Sequence, residues 1–151
     1  LLTMLRARKQ MLKSGLSDVM QRKGLQFRTV TDPEGDTATT LTWFVDRADI
    51  ADNVAEALGA ENIGGSVLYK PDRPDYHVYA HWTGLLNKRS WTAANAPWQW
   101  ANRPIDYSPD MCPKSLDLLG RAVQINVDPF LDNNAVEETI DGIERVLTAL
   151  T

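Results

Sequence analysis

The stretch from Thr39 to Leu58 constrains this chain most, because a strand pattern there turns directly into a helix pattern. Leu41, Trp43 and Val45 alternate with Thr40, Thr42 and Phe44, so β-branched and aromatic residues line both faces of an extended segment. Asp46 is placed to cap the orphan amides of a following helix, and Asp49 in the first turn suits its dipole. Ile50, Val54 and Leu58 recur every fourth position, one stripe on a helix, and Gly59 sits where a left-handed residue would end it. A strand feeding a helix across one tight turn is half of a two-layer sandwich, which the rest of the chain must cover.

The 151 residues suffice for one domain with a core of its own. No apolar run approaches the ~20 residues that span a bilayer, and no charged-then-apolar leader is present, so no membrane partner is expected. A single cysteine, Cys112, forbids an internal disulfide and fits a reducing compartment, so the expected location is cytoplasmic. The net charge of −4 hides an asymmetry. Residues 1–28 carry seven Lys or Arg against Asp18 alone, a net of +6, so the remainder sums to −10. A basic arm can bind nucleic acid, but here the charges read as the solvated face of an amphipathic helix, and the acidic remainder would repel phosphates. No nucleic-acid partner is expected. The chain opens at Leu1 already inside a helical pattern, as a piece of something longer would.

Leu1, Leu5, Leu12, Leu16, Val19 and Met20 form the stripe of that leading helix, with Ser14-Gly15 a possible bend and Gly24 its C-terminal cap. Gln26 to Val30 reads as a short strand, and Asp32-Pro33-Glu34-Gly35-Asp36 as the turn of a hairpin into Thr39 to Val45. Ser66 to Tyr69 is a third strand after the loop Asn62-Ile63-Gly64-Gly65. Pro71 to Tyr107 is irregular and holds His77, His81 and four of the five tryptophans, with room for a short helix at Tyr79 to Leu86. Such a long aromatic loop is usually functional or covered by a partner. A short helix closed by Gly120, a strand over Val123 to Val127, and a last helix with Val136, Ile140, Ile143, Leu147 and Leu150 on one stripe complete the chain. Asn134 and Glu137 resemble a capping box for that helix. The expected class is α+β, a small, mainly antiparallel sheet with helices packed on one face.

Chemistry is sparse. His77 and His81 are four apart, a spacing that would stack two imidazoles on one helical face, but no third metal ligand is evident and no metal is expected. The pair reads as hydrogen-bonding groups in a cleft or as surface. Cys112 has no oriented base and reads as an ordinary half-buried thiol; no catalytic residue is assigned. The acidic residues of the last helix read as its solvated face. The tryptophans could stack sugars or bases, or fill a core or an interface.

The order of patterns resembles a known family. A basic amphipathic helix leads into LQFRTVTDPEGDTATTLTWFV, then DRADIADNVAEALGAENI, GGSVLYKPDRPDYHVYAHWTGLL and CPKSLDLLGRAVQINVDPFLDNNAVEETIDGIERVL. These are similar to the C-terminal small domain of fold-type-I pyridoxal-phosphate enzymes, specifically the DegT/StrS-like sugar aminotransferases, and the similarity covers nearly the whole chain. The resemblance implies a leading helix at 1–24 and a small domain at 25–151. It implies a large N-terminal domain, absent here, that carries the cofactor lysine, the acid facing the pyridine nitrogen and the phosphate cup. Pyridoxal phosphate would then belong to the parent enzyme, expected to be a homodimer, and none would be bound by this chain alone. Lys9, Lys13, Lys23, Lys70, Lys88 and Lys114 all lie outside the context of a cofactor lysine. The segment after the third strand commonly faces the active site in such enzymes, so Tyr69, His77 and His81 are expected to touch substrate and Arg121 to hold an anionic group. The alternatives are a stand-alone sugar- or nucleotide-binding module using the tryptophan loop, and an assembly domain that pairs with another chain.

Overall fold

The computed structural model describes residues 1–151. In chain order the elements are α1 (Leu2–Gly15), α2 (Ser17–Arg22), β1 (Gln26–Phe27), β2 (Thr40–Phe44), α3 (Ala48–Ala60), β3 (Gly65–Val67), α4 (Thr83–Leu86), α5 (Pro113–Gly120), β4 (Ala122–Asn126) and α6 (Asn133–Leu150), with 3₁₀ turns at Tyr79–His81 and Trp98–Trp100. The chain forms two compact units, Leu1–Leu68 with Leu118–Thr151, and Tyr69–Asp117. No helix is long and apolar enough to cross a membrane.

The first unit is α+β, as expected. Its sheet runs β1-β2-β4-β3 with every neighbouring pair antiparallel. Leu41 faces Ile125 and Trp43 faces Val123 across the central pair, and Val67 meets Val123 from the other side. α3 packs on β3 and β4, α1 on β2, and α6 lies against both α1 and α3. The stripes foreseen in the sequence supply the core: Leu12, Leu16 and Val19 of the leading helices, Val54 and Leu58 of α3, and Val136, Ile143 and Leu147 of α6 are all buried. Each such side chain contributes about 1.5–3 kcal/mol relative to exposure. They hold the helices to the sheet better than helix propensity could.

Several local expectations shift. The leading helix breaks at Leu16, next to the foreseen Ser14-Gly15, and Gly24 takes the left-handed backbone (φ +66) that ends α2. The strand expected over Gln26–Val30 keeps only two residues, although the Arg28 amide still bonds the Thr42 carbonyl at 2.9 Å. Asp46 does not cap α3. Arg47 occupies the cap position, one residue later, and its guanidinium grips Asp49 through two bonds of 2.7 and 2.9 Å. Gly59 is not the terminator either. α3 runs on to Ala60, Asn62 takes the left-handed conformation (φ +60), and the Ile63 amide reaches back to the Leu58 carbonyl at 2.8 Å, a Schellman closure. At α6 the cap is Asp132, whose carboxylate accepts from the Ala135 amide at 2.8 Å, not Asn134.

The second unit is built differently. Val78 is its one buried apolar side chain. Polar staples replace a core: the Tyr79 hydroxyl donates to the Pro109 carbonyl (2.7 Å) and accepts from the Cys112 amide (2.8 Å), and the Trp82 indole donates to the Tyr76 carbonyl (2.6 Å). The single helix expected over Tyr79–Leu86 is split at Trp82, and Cys112 is exposed rather than half-buried.

Candidate functional site

The loop after β3 brings two of the four expected substrate-contacting residues, His77 and His81, onto one organiser that the sequence did not single out, Asp75. Its backbone amide donates to His81 Nδ1 at 2.7 Å. Its carboxylate Oδ1 accepts from the His77 amide at 2.9 Å and meets His77 Nδ1 at 2.8 Å. The His77 amide first, and its ring second, hold the Asp75 carboxyl below the ordinary carboxylate range. His77 itself projects into solvent, with its side chain 97% exposed. The two imidazoles therefore share Asp75 and not a helical face, and no group of three or more His, Cys, Asp or Glu side chains gathers that could hold a metal ion.

His81 is the chemically informative member. Because a backbone N–H can only donate, Nδ1 must present a lone pair, which assigns the ring proton to Nε2. That Nε2–H is shielded from solvent and has no acceptor. An orphaned buried donor costs on the order of 1–3 kcal/mol. Tyr69 holds the other side of the ring, centroid to centroid at 5.6 Å and tilted by 45°. Arg121 belongs to the sheet unit, where its guanidinium donates to the Val45 carbonyl at 3.0 Å and ties down the end of β2.

A second feature of the same unit is a cleft of about 490 Å³ between Gly84 and Trp98, in which Trp91 stands fully exposed beside Arg89. The Ser90 hydroxyl donates to the Ala96 carbonyl (2.7 Å), and the Thr92 hydroxyl accepts from the Ala96 amide (3.2 Å), so the cleft wall is knotted by its own hydroxyls.

The lysines do not suit pyridoxal phosphate. A cofactor lysine needs an unpaired amine beside a phosphate cup and an acid for the ring nitrogen. Lys9 is paired with Asp36 at 2.5 Å, and Lys88 lies 3.6 Å from Asp106. Lys13 sits over the Phe27 ring, and Lys23 donates to the Thr148 carbonyl at 3.0 Å. Lys114 is exposed on the first turn of α5, and Lys70 sits in a two-residue bridge with Arg73. None is placed in such a setting. No protein-family model matches this chain, and no curated protein matches it in sequence.

Proposed function

We propose that this chain is the C-terminal small domain of a pyridoxal-phosphate-dependent sugar aminotransferase, forming one wall of the substrate cleft and inactive alone. The observation that carries the reading is the run of sequence patterns resembling that domain over nearly the whole chain. The small antiparallel sheet with helices packed on it, and the aromatic unit inserted between β3 and β4, agree in order with the resemblance. The cofactor, held by the large domain, supplies the electron sink for amino transfer. This chain's part is binding and orientation. Tyr69 and Asp75 keep the His81 ring from turning, and the exposed His77 beside them is the group left open to the amino acceptor. The parent would be a cytoplasmic homodimer.

Sequencing the coding DNA on the 5′ side of the Leu1 codon tests this reading. About 200 or more further in-frame codons encoding a lysine-bearing cofactor domain are expected. An open reading frame that starts near Leu1 overturns it, as does stoichiometric borohydride trapping of pyridoxal phosphate on any lysine of this chain.

The exposed Trp91 at the rim of its cleft favours a second reading, a free-standing sugar- or nucleotide-binding module. Saturable quenching of tryptophan fluorescence by such a ligand, lost in Trp91→Ala, would support it.

A further inference from the structure

The basic excess of the leading residues is only in part a solvated helix face, with Arg22 more than half exposed. Four of those cations, Arg6, Lys9, Lys13 and Arg28, converge on one cavity of about 570 Å³ in the sheet unit, whose only acidic lining residue is Asp36. The lining therefore carries a net +3 within a chain of net charge −4. Two of the cations are committed to the fold. Lys9 is nine-tenths buried and bonded to Asp36, and Arg6 donates to the backbone carbonyls of Asp36 and Glu34. The other two are not. Lys13 lies 5.5 Å from the centre of the Phe27 ring, and neither its ammonium nor the Arg28 guanidinium makes an ion pair. Phe27, Val30 and Pro33 give the cavity an apolar side. A hollow of about 380 Å³ shares Lys13 and Phe27 with it and continues to Ser14 and Ser17.

We propose that this groove is a binding site for a small molecule bearing two or more linked phosphates, its apolar or ring portion lying against Phe27. Charge complementarity argues for an anion, since gathering like charges in a concave site is unfavourable until one neutralises them. The buried Lys9 and anchored Arg6 preset the floor, so little side-chain entropy is lost on binding. Lys13 and Arg28 are the free donors that close on the phosphates, and a guanidinium suits their paired oxygens. The site lies wholly in the sheet unit and stands independently of the aminotransferase reading.

Titration calorimetry of the full chain with inorganic pyrophosphate, ADP and adenosine tests the proposal. Pyrophosphate and ADP should bind, ADP more tightly, with affinities that fall as salt rises, and adenosine should not. Lys13→Gln and Arg28→Gln, both surface changes expected to leave the melting temperature unmoved, should each weaken ADP about tenfold, the loss of one charge-assisted contact. Lys114→Gln, outside the groove, should bind as the parent does. Absence of pyrophosphate binding, or full affinity in both groove variants, overturns the site. Polyglutamate competing as well as pyrophosphate overturns the phosphate assignment, and ADP no tighter than pyrophosphate overturns the role of Phe27.

Discussion

Lys9 and Asp36 meet at 2.5 Å with side chains only 8% and 17% exposed, so the middle of α1 is pinned to the turn that precedes β2. The Ala38 amide gives the same carboxylate a second bond at 3.0 Å, and Arg6 takes the Asp36 carbonyl at 2.9 Å. Three bonds thus fix one aspartate between helix, turn and strand. That single residue sets the edge of the cationic groove.

Removing one partner of this pair leaves the other charge half-enclosed. Lys9→Met should cost about 2–3 kcal/mol in urea unfolding, below the roughly 3–5 kcal/mol of a fully enclosed pair because the groove admits water. The acid limb carries the same signature. Bonding to Lys9 first, and to the Ala38 amide second, holds the Asp36 carboxyl below its ordinary value of 3.8. A folded-state value below the unfolded one means that this stability is fully present above the unfolded value and lost as pH falls through the folded one. Urea midpoints followed from neutral pH into acid should therefore fall below about pH 3.8, and less steeply in Asp36→Asn. An unchanged acid slope in that variant would show that the pair contributes nothing.

Gly15 ends α1 under the side chain of Ile140, whose Cδ1 would lie 2.4 Å from an added Cβ, with its Cγ1 at 3.0 Å and Cγ2 at 3.2 Å. Helix propensity alone would make Gly15→Ala stabilising by up to about 1 kcal/mol. Three close carbons on one branched side chain leave it little room to yield, so the variant should instead lose roughly 1–3 kcal/mol. Pairing it with Ile140→Val should restore part of the loss, which a double-mutant cycle of unfolding free energies would measure.

Trp43 is fully buried at the centre of β2, yet its indole Nε1 has no hydrogen-bond partner. Trp43→Phe removes an orphaned donor along with some volume, and the two effects oppose each other. Its cost should stay within about 1–1.5 kcal/mol, whereas Trp43→Ala should lose about 3–5 kcal/mol. Thermal unfolding of the two variants distinguishes these outcomes.

The Tyr79 hydroxyl joins the Pro109 carbonyl to the Cys112 amide in a unit with almost no apolar core. Tyr79→Phe should abolish hydrogen-exchange protection of the Cys112 amide while the amides of β2 and β4 exchange as before. Equal losses in both regions would mean that the two units unfold as one.

Much of the sheet unit was legible because its signals are periodic. The alternation through Leu41, Trp43 and Val45 and the stripe of α6 needed only backbone geometry and burial to become structure. Caps were less legible. Asp46 and Asp132 both carry the right side chain, and only the path of the chain makes the second a cap and leaves the first one residue short. Asp75 could not be singled out, because its role depends on a loop that curls its amide onto His81 and its carboxylate onto His77. Asp-Tyr-His carries no periodic signal of that curl.

Residue spacing along one element settled which side chains face inward, since a helix or a strand repeats its geometry every few residues and burial rewards the repeat. Convergence of residues from different elements was decided only when the elements packed. The seven basic residues of the leading segment looked like a solvated face, and the fold gathered four cations of that segment around one groove, burying Lys9 against Asp36. Charge acts through space, at distances that sequence separation does not encode.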